Sequence, residues 1–303
     1  MKVAIQPAIK NGGFSMDDYM LWCPSVIKVG KTYHMFASRW PAVYGMAGWT
    51  THSEIIRATS SNLYGPYTFQ EVVIKKRDGY WDNERVHNPR VVKSGKYFVL
   101  YYSSTSGETG YAYASSINGP WIRSNNVVMT FSNVAPVVKP DGSIYALGRK
   151  TVENHRIAQA YSAKSFDGKY SIVKGGENLL PENAQFEDPT IWLNGNIFYV
   201  LCSDLNGDLT GMRKAGAQYY SFDGEIFKSV TTEPVYTKTV TFDDNSTEIF
   251  SRRERPFVYV DDNGQVQALF TACLPAKGKG SSRIVVNPIK DYLPDGYLGV
   301  KTK

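Results

Sequence analysis

Asn88-Pro-Arg-Val-Val-Lys-Ser-Gly-Lys-Tyr-Phe-Val-Leu-Tyr-Tyr-Ser103 reads as two short strands joined by a glycine turn. Proline opens the first strand, where a missing N–H is tolerated. Gly95 can take the positive φ that a tight hairpin demands. The alternating Val, Leu and Tyr supply a half-buried face. The same unit returns at Cys23-Pro-Ser-Val-Ile-Lys-Val-Gly30, Ala135-Pro-Val-Val-Lys-Pro-Asp-Gly142, Asp188-Pro-Thr-Ile-Trp-Leu-Asn-Gly195 and Arg255-Pro-Phe-Val-Tyr-Val-Asp-Asp-Asn-Gly264. Each time an aromatic or aliphatic strand follows the glycine.

A weaker signature trails several of these hairpins. Ser60-Ser-Asn-Leu-Tyr-Gly-Pro-Tyr67, Ser115-Ser-Ile-Asn-Gly-Pro-Trp121, Ser165-Phe-Asp-Gly-Lys-Tyr170 and Ser221-Phe-Asp-Gly-Glu-Ile-Phe227 set a turn before an aromatic residue, after a short apolar strand. Five repeats at such spacing make an all-β, five-bladed β-propeller with four antiparallel strands per blade. A β-sandwich with similar turns is the competing architecture. No linker, low-complexity tract or composition shift interrupts residues 1–303, so one domain is expected, its blades opening near residues 23, 88, 135, 188 and 255.

Composition narrows the function. With 42% hydrophobic and 20% charged residues the chain is globular rather than disordered. The formal charge of +6 is spread along the sequence, without the basic stripe or arm of a nucleic-acid binder, so nucleic acid is not an expected partner; a solvated basic surface is the first reading of such a charge, and attraction to an anionic polysaccharide the alternative. Cys23, Cys202 and Cys273 lie far apart without CxxC spacing, which argues against a disulfide framework or structural zinc. The four histidines show no metal-ligand spacing. There is no apolar run long enough to span a membrane and no signal-peptide pattern, so a cytoplasmic protein without a membrane partner is expected.

The first strand of each propeller blade lines the central channel, and the five residues before proline should converge at its mouth. They are Cys23, Asn88, Ala135, Asp188 and Arg255, preceded by Trp22, His87, Val134, Glu187 and Glu254. These side chains vary while the frame persists, as in a site grafted on a symmetric scaffold. Glu187-Asp188 puts two carboxylates together, and crowding with loss of solvent raises one pKa, the property of an acid that protonates a leaving oxygen. The structural alternative is that Asp188 caps the turn and Glu187 pairs with an arginine. Glu254, between Arg253 and Arg255, belongs either to a fork that binds sugar hydroxyls and carboxylates or to an internal ion-pair network. His52 and Glu54, two apart, should face one side of a strand, with Glu54 an acid or base. Asp82 precedes His87 and Asn88, which can hydrogen-bond a polar ligand. Arg39 and Asp204, where the second strands of blades one and four end, would reach the mouth.

The hairpins, together with Ser38-Arg-Trp-Pro41, Thr51-His-Ser-Glu-Ile55, His87-Asn-Pro89, Glu187-Asp-Pro189 and Arg252-Arg-Glu-Arg-Pro256, resemble five-bladed propeller glycoside hydrolases of families 43, 32 and 117. The resemblance implies carboxylate acid/base cleavage of a glycosidic bond in a poly- or oligosaccharide. In family 43 an Asp before proline in blade one is the base, an Asp in blade three tunes pKa, and a Glu in blade four is the acid. Glu187 matches the acid. Cys23 and Ala135 stand at the base and tuning positions, so either the base has moved, with Asp82, Glu54 and Asp188 as candidates, or the site is a degenerate, non-catalytic sugar-binding one. Arg39, His52, His87, Asn88, Asp204, Arg253, Glu254 and Arg255 would hold substrate. No cofactor is expected; a channel calcium occurs among such relatives, but no ligand motif here demands one.

Overall fold

The computed structural model describes Met1 and residues 4–104, 107–181, 185–277 and 280–292. Five antiparallel sheets follow one another along the chain, each strand pairing with the next in sequence. Blade one comprises Tyr19–Val29, Thr32–Pro41, Glu54–Ser60 and Thr68–Ile74. Blade two comprises His87–Ser94, Tyr97–Ser103, Thr109–Ala114 and Ile122–Arg123. Ser132–Val138, Ile144–Val152, His155–Ala163 and Ser171–Ile172 make blade three; Phe186–Asn194, Ile197–Asp204, Ala215–Ser221 and Lys228–Ser229 make blade four. Blade five has Arg252–Val260, Val266–Leu274 and Arg283–Pro288, after a small hairpin of Thr239–Thr241 and Thr247–Ile249.

The N-terminal segment takes the fourth place in blade five. Ile5 bridges Ile289 and Phe14 bridges Ile284, both antiparallel, and the Ile9 amide donates to the Val286 carbonyl at 3.1 Å. The ring is thus closed by pairing the two ends of the described residues. Apolar clusters fill each space between neighbouring blades. Phe36, Ile55 and Ile74 meet Val91 and Leu100 between blades one and two, and Met35 and Ile56 meet Phe270 and Ile284 between blades one and five. Each blade is thus packed on both faces, so consecutive residues of an inner strand are buried, as in Met35 and Phe36.

The hairpin glycines behave as their positions require. Gly30 and Gly195 have φ of +60° and +56° in two-residue turns, and a Cβ at either would touch nothing, so backbone conformation alone demands glycine.

Each first strand carries a β-bulge at the channel. Two residues oppose one between Trp22 and Ser25, His87 and Arg90, Glu187 and Thr190, and Glu254 and Phe257. The first bulged residue is left-handed in all four: Cys23, Asn88, Asp188 and Arg255, with φ between 56° and 58°. Blade three departs from the sequence expectation. Its bulge lies between Ser132 and Ala135, and the left-handed residue is Asn133, φ +59°. The equivalent of the other pre-proline residues is therefore Asn133, not Ala135; Val134 stands where the other blades have proline, and Ala135-Pro136 is already regular strand. A non-glycine residue in this region costs about 1–2 kcal/mol, and the bulge turns its side chain toward the axis.

Candidate active site

The five left-handed residues meet at the axis in a hydrogen-bonded belt. The Cys23 thiol donates to Asn88 Oδ1 at 3.1 Å, Asn88 Nδ2 to Asn133 Oδ1 at 2.7 Å, and Asn133 Nδ2 to Asp188 Oδ1 at 2.9 Å. Arg255 closes the belt, its Nε 3.0 Å from Asp188 Oδ1 and its Nη2 donating to Asn133 Oδ1 at 2.9 Å. One layer below, Arg90 is fully enclosed and donates to the carbonyls of Pro24, Pro189 and Pro256, at 2.5, 3.2 and 3.1 Å. Burial pulls its pKa down to about 10, which leaves it charged at neutral pH.

Above the belt opens a cavity of about 250 Å³. Its walls come from the residues just before the bulges (Trp22, His87, Ser132, Glu187, Glu254) and from those opposite them, among which are Ser103, Arg149 and Ser203. Both Glu187 oxygens are engaged by guanidinium groups: Oε1 by Arg149 at 3.2 Å and Oε2 by Arg156. Two guanidinium groups thus share one carboxylate. Glu254 Oε1 accepts from Lys214 Nζ at 2.6 Å, with Arg252 3.8 Å from Oε2. Asp188, beneath them, is buried, and that burial raises its pKa; Arg255 opposes the rise and the charge of Glu254 adds to it. Three carboxylates thus converge from two adjacent blades, two on the wall and one at the floor.

His87 lines the cavity as a neutral imidazole. Its pKa lies well below the usual histidine value, first through burial and then through Arg255 and Arg85. Nδ1 is 2.8 Å from Ser53 Oγ and Nε2 3.6 Å from Cys23 Sγ. Burial pushes the Cys23 thiol up to about 11, so the side chain at the expected base position is neutral and offers no carboxylate.

His87, Asn88, Glu187, Asp188, Glu254 and Arg255 are brought together in this cavity; the other sequence candidates are not. Glu54 is held by Arg39 Nε at 2.8 Å, and the Arg39 guanidinium lies over the rings of Tyr19 and Phe69 at 4.2 and 4.4 Å, away from the cavity. His52 ends a single helical turn, Trp49–His52, and stacks on Tyr44 at 3.8 Å, so it does not share a strand face with Glu54. Asp82 is completely buried against Arg77, Arg123 and the Tyr102 hydroxyl, a structural anchor with no path to a sugar. Asp204 accepts from the amides of Gly207, Asp208, Leu209 and Thr210 and so organises its own loop. Arg253 bonds Thr271, Asn287 and the Thr237 carbonyl.

Sequence reasoning missed Asn133, Arg149, Arg156, Lys214 and Arg85. A blade-three alignment on the bulge rather than on Pro136 would have put Ser132-Asn133 beside Glu187-Asp188 and exposed Arg149 as the partner across the hairpin.

The axis does not fit a calcium ion. It carries the guanidinium groups of Arg90 and Arg255; Asn88 Oδ1 accepts from the Cys23 thiol, and Asn133 Oδ1 and Asp188 Oδ1 are engaged by the neighbouring belt amides and Arg255. Among the described residues no group of three or more His, Cys, Asp or Glu side chains could hold a metal ion.

The buried histidines give a pH expectation. His34 accepts from Arg57 at 3.0 Å, and burial with that charge lowers its pKa to about 4. Folding keeps His34 neutral while the unfolded chain protonates it below about 6.5, so stability is full above that pH and falls as pH drops toward 4. Between pH 7 and 5 the loss from His34 is about 2 kcal/mol. Urea midpoints at the two pH values, compared with those of His34→Gln, should show a shallower acid slope in the variant; an unchanged slope would remove His34 as its source.

No family model and no curated protein matches the sequence. Solved structures match the fold. Zg3597, a family 117 glycoside hydrolase from the marine bacterium Zobellia galactanivorans, aligns with TM-score 0.68 at 14% identity, over 100% of this chain and 96% of that one. The catalytic domain of a family 62 α-L-arabinofuranosidase from Coprinopsis cinerea aligns with TM-score 0.66 at 11% identity, over 95% and 98% of the two chains. CoXyl43, a family 43 β-xylosidase/α-arabinofuranosidase from a compost metagenome in complex with xylotriose, gives 0.65 at 13% identity, over 93% and 94%. At such identities the likeness is one of fold, and it is the five-bladed propeller read from the hairpins.

Proposed function

We propose that the protein is a glycoside hydrolase whose reaction centre is the cavity above the bulge belt. The observation that carries this reading is the convergence of Glu187, Glu254 and Asp188 at one end of a propeller channel, in a cavity lined mostly by hydrogen-bonding side chains, with tryptophans, Met46 and Leu205. Hydrolysis of a glycosidic bond needs one carboxyl group to protonate the leaving oxygen and a second to activate water or attack the anomeric carbon. Glu187 is assigned the acid. Its resting ion pairs with Arg149 and Arg156 must loosen when substrate enters, because a guanidinium-bound carboxylate is a poor proton donor. Glu254 faces it from the next blade as the second carboxylate. Asp188, whose pKa burial raises, is the partner beneath that sets the charge of the pair. Trp22, Trp49, His87, Asn88 and Arg255 line the space in which the sugar would sit.

Reducing-sugar release over a panel of neutral and acidic glycans tests the reading, with Glu254→Gln beside the wild type. Release that falls at least about a hundredfold in the variant supports the second-carboxylate role. Binding of glycans with no release by the wild-type protein would favour the sugar-binding alternative, which the neutral thiol at Cys23 motivates.

A further inference from the structure

The cavity carries more positive charge than its carboxylates balance. Arg149 and Arg156 share Glu187, Lys214 and Arg252 share Glu254, and Arg255 pairs with Asp188. Among the described residues Arg85 is the lining cation left without a lining carboxylate; its own ion pair is a 3.7 Å contact to the exposed Glu84, outside the cavity. Burial lowers the pKa of Arg85, Arg149 and Arg156, with Arg255 adding to the effect on Arg149 and Arg149 to that on Arg156.

Arg85 is 9% exposed, and its Nε, a buried donor, has no hydrogen-bond partner among the described residues; the neighbouring Ser104 hydroxyl, 1% exposed, has none among them either. Both line the cavity. His87 sits opposite Ser103, so the chain just before one and just after the other puts Arg85 and Ser104 at the same end of blade two. The guanidinium is held over the Trp49 ring at 4.7 Å, with Nη1 3.4 Å from the Thr50 carbonyl, which fixes its plane. A buried donor left unmade is expensive, and two of them on one wall of a cationic cavity describe a seat for an anion.

We infer that blade two forms a subsite for an anionic substituent of the sugar, a uronate carboxylate or a sulfate ester, with Arg85 Nε and Ser104 Oγ as its donors and Trp49 beneath it. The inference rests on the glycosidase reading for its ligand class and extends it to acidic glycans. The remaining cations raise the potential at the mouth, and an acidic group arriving there also competes with Glu187 for Arg149 and Arg156.

The test is calorimetric binding to the Glu187→Gln protein, where turnover is not needed. The probes are glucuronate- and galacturonate-containing oligosaccharides, their carboxyl-reduced counterparts, and sulfated oligosaccharides with their desulfated forms. At least one acidic probe should bind about tenfold tighter than its neutral counterpart, the size expected of a charge-assisted hydrogen bond. Arg85→Gln should erase that preference, Arg85→Lys should keep only part of it, and Ser104→Ala should weaken it without abolishing it. The uronate and sulfate arms identify which anion the seat takes. Equal affinity for every acidic probe and its neutral counterpart, a preference untouched by Arg85→Gln, or no binding of any acidic probe at millimolar concentration each overturns the subsite. Glu187-dependent release from a neutral glycan without acidic preference would sink the subsite and leave the hydrolase standing. An Arg85-dependent acidic preference without release by the wild type would do the reverse.

Discussion

Glu187→Gln should lower glycan cleavage by about a thousandfold while leaving a folded protein. The substitution keeps the shape and one acceptor oxygen for Arg149, but removes the group that can carry a proton to a leaving oxygen. It also removes a negative charge from between two arginines, so a stability loss of about 1–2 kcal/mol is expected from the unbalanced cations. The two effects separate cleanly: circular dichroism and a urea titration report the second, product release the first. Turnover within about tenfold of the wild type would refute Glu187 as the acid and move the proton donor to Glu254 or Asp188. A substrate with an activated leaving group, which needs little protonation, should recover much of the lost rate in Glu187→Gln; failure of that recovery would point to a role in binding instead.

Arg90→Met should destabilise the protein by about 3–5 kcal/mol. The guanidinium is enclosed at the axis, and its donors reach carbonyls of blades one, four and five from a strand of blade two. Methionine fills much of the volume yet leaves those three carbonyls without their donor in a place water reaches poorly. The expected readout is a large fall in the urea midpoint, shared by probes in every blade because one side chain ties four of them together. A loss below about 1 kcal/mol would mean that the inter-blade clusters hold the ring without this contact.

The fold was legible because its signal is local and repeated. Proline, alternating apolar residues and a turn glycine follow one another within a single hairpin, as at Asn88–Ser103, and nothing distant is needed to read them. The cavity was legible only in part. Glu187, Asp188, His87, Asn88, Glu254 and Arg255 sit at the bulges, which the proline marks in four blades. In blade three the left-handed bulge residue stands three positions before Pro136 instead of one, so Asn133, and Arg149 across the hairpin from Ser132, escaped notice. Lys214 and Arg156 lie beyond the bulges altogether, where register depends on pairings the sequence does not print. Asp82 and Glu54 invited a chemical role because they are carboxylates near tryptophan and histidine. Their actual partners come from neighbouring strands and loops, Arg39 for Glu54 and Arg77 and Arg123 for Asp82, and no sequence pattern marks those pairings.

The closure of blade five by the N-terminal segment has a consequence for the order in which the protein can form. Ile5 and Phe14 are made long before their partners Ile289 and Ile284. During synthesis that first segment must wait, unpaired, while four blades assemble behind it, and the ring stays open until the strand Arg283–Pro288 has emerged. Contacts of such long sequence separation are slow to form. The apolar face between blades one and five, with Met35, Ile56, Phe270 and Ile284, is the interface completed last and the one exposed longest to self-association.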